Sequence, residues 1–128
     1  MPVTAPIVVK LLVTLALLVA IVTLSVAPGR SHPQGSVVAW LVSVTPSPLQ
    51  KLLHVIAYGT MAALCTWTLQ DFLSMPMRTA VAFVVAVTLG SLLEWYQKSI
   101  PGRFGTLADA FLNAFGAIIG LIIASVLL

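Results

Sequence analysis

Charged residues are very scarce in this sequence, and acidic residues are the scarcest of them. Only three of the 128 residues are acidic and six are basic, and the mean hydropathy is +1.13. A water-soluble domain usually has about a quarter of its residues charged, so this composition excludes that class. The six basic residues are scattered singly and form no patch, so we expect no nucleic-acid partner.

Cysteine is almost absent as well. The single cysteine, Cys65, excludes an internal disulfide. Its neighbours Leu64, Thr66 and Trp67 place it inside an apolar segment. We predict that Cys65 is a small packing residue and not a nucleophile.

Four long apolar segments make up most of the chain. Each is long enough to cross a bilayer, which needs about 20 apolar residues. Because lipid offers no hydrogen-bond partners to the backbone, segments of this length must be helices. We predict an all-α polytopic membrane protein, with residues 1–128 forming a single transmembrane domain. It is a compact bundle of four transmembrane helices at about residues 7–27, 49–69, 77–97 and 104–128.

The connections between these helices differ in length. Residues 28–48 are rich in proline and glycine and include a short apolar stretch, 36–42, which we expect at the membrane interface. The first segment has the outline of a signal peptide, but Pro28 would follow the cleavage site directly, so we predict a retained helix. The second connection is tight, and we expect Asp71 and Arg78 there in solvent or among headgroups. The positive-inside rule does not decide the orientation, because cations retained for chemistry distort the count.

Polar residues of three helices lie close to one membrane surface. In helix two, residues 51, 54 and 58 share a face, and in helix three so do residues 94 and 97. In helix four, the polar positions 109 and 113 continue into Gly116 and Gly120, which should let a neighbouring helix approach closely. We expect these groups to converge on one polar pocket, and we expect the other half of the bundle to be aliphatic and closed. The pocket residues are Lys51, His54, Tyr58, Glu94, Gln97, Arg103, Asp109 and Asn113.

The chemistry of this set favours proton exchange beside an anion. His54, Glu94 and Asp109 are the candidate catalytic acid–base groups. Arg103, with Lys51, would clamp a phosphate or carboxylate. The remaining candidate substrate-binding residues are Tyr58, Gln97 and Asn113. One histidine and two carboxylates could also hold a divalent cation, but no spacing singles out a metal site, and the sequence leaves the cofactor open. A structural alternative is that Glu94 pairs with Arg103 or Lys98.

The order of these motifs resembles that of the VanZ-like family of small integral membrane proteins. The resemblance rests on Lys51-Leu-Leu-His54-Val-Ile-Ala-Tyr58, Glu94-Trp-Tyr-Gln97, Pro101-Gly-Arg103, Asp109, Asn113 and Gly116-Ala-Ile-Ile-Gly120. It covers about residues 49–120. One departure is Gln50, where the family often has aspartate. The resemblance implies a cell-envelope protein of the bacterial plasma membrane, of the kind associated with resistance to the glycopeptide teicoplanin.

Three functions remain open at this point. The first is a protein that binds or modifies an anionic lipid headgroup or an envelope precursor, with membrane lipids as its partners. The second is a small proton-coupled transporter that works as a homo-oligomer, with Glu94 as the coupling carboxylate. The third is an accessory or scaffold subunit in which the polar residues are structural pairs. Loss of abundance, as opposed to loss of activity, in variants of the pocket would indicate the third.

Overall fold

The computed structural model describes residues 4–26, 37, 47–99 and 106–128. Within them it contains four α-helices: α1 (Ile7–Val26), α2 (Ser47–Thr68), α3 (Met75–Gln97) and α4 (Leu107–Leu127). All four are long and apolar enough to cross a membrane. The predicted all-α bundle of four transmembrane helices is therefore confirmed. That residues 1–128 form one domain stays a prediction.

Local sequence sets the helix boundaries. Pro48 and Pro76 lie in the first turns of α2 and α3, where a missing N–H costs nothing. The Thr106 side chain accepts a hydrogen bond from the Asp109 N–H at 3.1 Å, so Thr106 caps α4. A 3₁₀ turn, Leu69–Asp71, ends α2 and makes the connection to α3 short. The predicted interfacial stretch lies outside the described residues except for Val37, which is exposed.

Helix α2 is the central helix, and it contacts each of the other three. Its closest neighbour is α4, and glycines make that approach possible. A Cβ atom at Gly116 would meet the Val55 backbone, with Val55 Cα only 2.8 Å away, and one at Gly120 would lie 2.7 Å from Gly59 Cα. The predicted role of Gly116 and Gly120 in close helix packing is thus confirmed.

The core lies between the helices, and the outward surfaces are apolar. The core cluster consists of Ile21, Tyr58, Met61, Ala62, Ala86, Leu93 and Ala117. Cys65 packs against this cluster, and its Sγ lies 3.7 Å from Met61 Sδ. Outward residues such as Leu12, Val84 and Ile122 are exposed, as lipid-facing positions require.

The bundle has two ends with different helix termini. The glutamate end carries the C-termini of α1 and α3 and the N-termini of α2 and α4. The arginine end carries the opposite termini and the 3₁₀ turn. This assignment follows from contacts across the chain. Gln97 bonds to Ser25 at the glutamate end, and Lys10 pairs with Asp71 at the arginine end.

Candidate functional site

His54, Asn113 and Glu94 meet at the glutamate end. The Nδ1 atom of His54 lies 2.8 Å from Asn113 Oδ1 and 3.8 Å from Glu94 Oε1. The three residues come from α2, α4 and α3, so each helix of this group contributes one polar side chain. The sequence-based expectation that these three positions converge is met by the geometry.

Glu94 is a buried carboxylate that accepts a backbone hydrogen bond. It is only 5 % exposed, and its Oε2 accepts the backbone N–H of Thr106 at 3.3 Å. That N–H belongs to the N-cap residue of α4, where the helix dipole favours negative charge. Burying a carboxylate at this depth is expensive unless donors surround it. Here a ring nitrogen and a helix terminus both face it.

Asn113 sets the tautomer of the histidine. The amide oxygen Oδ1 can only accept, so the Nδ1 atom of His54 must carry the hydrogen and donate it. In the neutral ring, Nε2 is then unprotonated and can take up a proton. The His54 side chain is 21 % exposed, whereas that of Glu94 is 6 % exposed. The ring is therefore the more accessible of the two ionisable groups.

Tyr58 and Gly90 form the floor of the cluster. Tyr58 is buried one turn below His54, and the two rings stack with centroids 6.3 Å apart. A Cβ atom at Gly90 would lie 2.9 Å from Asn113 Nδ2 and 3.1 Å from Tyr58 Cε1. Glycine at this position therefore makes the space that the asparagine and the tyrosine occupy together. Asn113 Nδ2 is enclosed and has no hydrogen-bond partner in the described part of the chain.

Gln97 connects the cluster to the first helix. It is buried, and its Nε2 donates to the Ser25 backbone carbonyl at 3.0 Å. An open carbonyl near a helix C-terminus is a natural acceptor for such a donor. Gln97 therefore joins α3 to α1. It holds the two helices together and does not contact His54 directly.

The remaining predicted site residues are less tightly placed. Asp109 lies one turn above Asn113 on α4 and is half-buried; its carboxylate makes no contact with His54 or Glu94 in the described structure. Lys51 is exposed one turn before His54. Arg103 and the Pro-Gly turn lie outside the described residues. The roles assigned to all eight positions stay predictions.

Three contributors to the cluster were not singled out from the sequence. They are Gly90, the backbone carbonyl of Ser25 and the backbone N–H of Thr106. Gly90 carried a usable signal, because it lies four residues before Glu94 and so on the same helix face. The backbone groups carried none, since every residue has them.

The sequence predicted that the other half of the bundle would be aliphatic and closed. The arginine end shows that this prediction is wrong, because charged side chains are buried there. Lys10 is 1 % exposed; its Nζ lies 2.8 Å from Asp71 Oδ2 and 5.7 Å from the centre of the Trp67 ring. Arg78, expected in solvent or among headgroups, is 7 % exposed.

One turn further into the membrane from Lys10, the hydroxyls of Thr14 and Thr68 are 2.9 Å apart. The periodicity of single helices could not reveal this cluster, because its partners come from α1, from the end of α2 and from the turn after it.

Within residues 4–26, 47–99 and 106–128, no three His, Cys, Asp or Glu side chains are grouped so that they could hold a metal ion. What the glutamate end offers is a histidine that can exchange a proton, a buried carboxylate beside it and an amide that fixes the ring.

The chain was compared with known families, curated proteins and solved structures. The sequence model of the VanZ/LLP1 family matches residues 7–128, which is nearly the whole chain. No curated protein and no solved structure matches it significantly. The family match includes α1, which the motif resemblance over residues 49–120 did not. With a match of this extent and four membrane-spanning helices, the chain is an integral membrane protein that belongs to the VanZ/LLP1 family.

Proposed function

We propose that the protein binds an anionic component of the bacterial cell envelope at the glutamate end and exchanges a proton with it through His54. The ligand would be a lipid headgroup or a precursor related to glycopeptide action. The observation that carries this proposal is the His54 Nδ1 contact with Asn113 Oδ1 at 2.8 Å, which directs the basic Nε2 away from the amide. A histidine oriented in this way at a helix terminus is suited to accept a proton from a bound hydroxyl, phosphate or water.

The buried carboxylate supports the same reading. Glu94 Oε1 lies 3.8 Å from the ring nitrogen that carries the hydrogen, so it helps to hold the ring in one tautomer. In hydrolytic triads a carboxylate bonded to this nitrogen positions the ring; here Asn113 accepts that hydrogen bond, and Glu94 acts through its charge alone. No serine or cysteine nucleophile contacts His54 among the described residues, so the reacting oxygen would come from the ligand or from water.

The anionic character of the ligand is inferred from cations of the sequence. Lys51 is exposed one turn before His54, at the level where headgroups lie. Arg103 follows Pro101-Gly102 in the sequence, and its planar guanidinium would pair with a phosphate or carboxylate through two hydrogen bonds. In this proposal both cations hold the headgroup while His54 acts on it.

A second candidate function has an observation of its own. Glu94 accepts the Thr106 N–H and lies beside His54, so it also cross-links three helices. In an accessory or scaffold subunit, this cross-linking alone would explain a buried carboxylate. The two functions differ in what a variant of Glu94 loses: activity in the first case, abundance in the second.

The transporter alternative is weakened by the middle of the bundle. Between the two polar ends the buried residues include Met61, Ala62, Ala86 and Ala117, and the buried Thr66 hydroxyl is bonded back to the Ala62 carbonyl of its own helix. Along α2, the ten residue steps from Tyr58 to Thr68 correspond to about 15 Å of helix rise. A proton path across the membrane would need polar groups through this interval.

The test is a comparison of three variants in a teicoplanin-susceptible bacterium. His54→Gln removes the proton-exchanging ring, and Glu94→Gln keeps the shape and an acceptor oxygen while it removes the charge. Trp95→Phe is the matched control, because Trp95 is adjacent to Glu94 but 72 % exposed. We expect the wild type and Trp95→Phe to raise the teicoplanin concentration that inhibits growth, and the two site variants to lose this effect.

Membrane abundance is measured in the same cells. If His54→Gln and Glu94→Gln reach normal abundance and still protect, proton exchange at this site is wrong. If protection falls only in proportion to abundance, the scaffold function is the correct one. Native mass spectrometry of the wild type extracted from membranes then identifies the headgroup that the glutamate end retains.

A further inference from the structure

Arg78 is a buried cation that has no partner for its side chain among the described residues. Its side chain is more than nine-tenths buried, and Nε is enclosed without a hydrogen-bond partner. Its guanidinium forms no hydrogen bond or ion pair with any residue in the described ranges. Arginine cannot become neutral by losing its proton. A buried charge without a partner is strongly unfavourable, so a missing anion is the simplest physical explanation.

The N-terminus of α3, the helix that carries Arg78, is a second positive feature at the arginine end. Arg78 lies in the first turn of α3, whose N-cap residue Ser74 forms no side-chain hydrogen bond to the helix. The first turn contains no acidic residue, so nothing in it balances the positive end of the helix dipole. Because Pro76 has no N–H and the Arg78 N–H bonds to the Ser74 carbonyl, the N–H groups without an intrahelical partner in this turn are those of Met75 and Met77. Helical side chains lean towards the N-terminus of their helix, which places the Arg78 guanidinium on the same side as these groups.

The other charged residues of the arginine end leave this positive charge uncompensated. Lys10 and Asp71 pair with each other at 2.8 Å, so together they contribute no net charge. Trp67 lies under the Lys10 ammonium and adds further stabilisation to that cation alone. The net charge of the three ionisable residues is therefore positive, and it is carried by Arg78.

We propose that Arg78 and the N-terminus of α3 form a phosphate-binding site at the arginine end of the bundle. A guanidinium fork and free helix N–H groups are together the usual protein partners of a phosphate. Two sources could supply it: the phosphodiester of a phospholipid in the leaflet at this end, or a free phosphate group in the adjoining solution. The site is separate from the glutamate end and does not depend on the function proposed there.

The test compares Arg78→Gln with Lys98→Gln in purified, delipidated protein. Both variants lose one positive charge, but Lys98 is exposed at the opposite end of α3. Phosphatidylglycerol is added in one arm and its retention is measured by native mass spectrometry. Inorganic phosphate is added in the other arm and its binding is measured from phosphorus NMR line widths.

We expect Arg78→Gln to weaken binding of the correct phosphate source about tenfold or more, and Lys98→Gln to leave it unchanged. Loss in the lipid arm alone identifies a phospholipid, and loss in the inorganic phosphate arm identifies a free anion. Equal binding by wild type, Arg78→Gln and Lys98→Gln in both arms would overturn the proposal.

A measurement on the wild type tests the proposal even if Arg78→Gln does not fold. The Nε–H signal of Arg78 in nitrogen-15 NMR, identified by its disappearance in Arg78→Lys, should shift when the correct phosphate source is added. An Nε–H signal that does not move at saturating phosphatidylglycerol and at saturating inorganic phosphate refutes the site whatever the variant does.

Discussion

The two ends of the bundle bury charges of opposite sign and satisfy them differently. At the glutamate end the buried charge is Glu94, and a ring nitrogen and a backbone N–H lie around its carboxylate. At the arginine end the buried charges are Lys10 and Arg78, and Asp71 pairs with only the first of them. The protein thus supplies partners for the buried charge at the glutamate end. At the arginine end one buried cation, Arg78, has no partner among the described residues.

This difference shows that a small membrane protein can place two kinds of site in one bundle. The glutamate end is built by α2, α3 and α4, whose spacing is fixed by glycine contacts. The arginine end depends on α1 meeting the end of α2 and the turn after it. Because the two ends depend on different helix pairs, a single substitution should be able to damage one and spare the other.

The largest effect is expected from Gly116→Ala. The new Cβ atom would clash with the Val55 backbone, which cannot move unless α2 and α4 separate. Overpacking of this kind costs about 3 kcal/mol of unfolding free energy. The separation would also pull His54 away from Asn113. We expect a large fall in the melting temperature in detergent and loss of the protection assayed above.

The control for this prediction is Ile118→Ala on the exposed face of the same helix. It should leave both stability and protection nearly unchanged. In the Gly116→Ala background, the coupling between Lys10 and Asp71, measured by a double-mutant cycle, should keep its wild-type value. A loss of that coupling would show that the two ends are not independent.

The second largest effect is expected from Asp71→Ala. It leaves the Lys10 ammonium, which is 1 % exposed, without its carboxylate. Breaking a fully buried pair costs about 3–5 kcal/mol, and because Asp71 is 45 % exposed we expect about 2 kcal/mol. Denaturant unfolding in micelles measures this loss. The protection assay should change only as far as abundance does.

The double variant Lys10→Met with Asp71→Ala sharpens the result. It removes both charges and keeps an apolar side chain of similar length, so most of the lost stability should return. If Asp71→Ala alone has no effect, Lys10 does not need its partner, and the electrostatic account of the arginine end is wrong.

The glutamate end could be anticipated from the sequence far better than the arginine end. His54, Glu94 and Asn113 each lie on a stripe whose spacing marks one helix face, and short connections make α2, α3 and α4 neighbours. The four helices themselves follow from apolar length. Asp109 shows the limit of this reasoning. It shares the stripe of Asn113, yet its backbone N–H takes part in the helix cap while its carboxylate contacts neither His54 nor Glu94.

The arginine end could not be anticipated because its partners are far apart in the chain. Lys10 and Asp71 are 61 residues apart and belong to different segments. Their pairing depends on how α1 crosses α2, which no local pattern encodes. Arg78 looked like an interface residue because it lies near the start of an apolar run, and only packing shows that it is buried.

The smallest effect on stability, and the most specific one, is expected from Asn113→Ala. The substitution removes the acceptor of the His54 Nδ1–H, which costs about 1–2 kcal/mol of unfolding free energy. Since Asn113 Oδ1 sets the tautomer, its loss should let the proton move between Nδ1 and Nε2 while Glu94 remains 3.8 Å away. Nitrogen-15 NMR of labelled histidine measures this tautomer equilibrium directly, with His54→Gln to identify the signal.

A His54 spectrum that keeps one Nδ1–H tautomer in Asn113→Ala would mean that Glu94 alone orients the ring. In that case the glutamate end would resemble the arginine end more closely, with a single carboxylate as the organising charge.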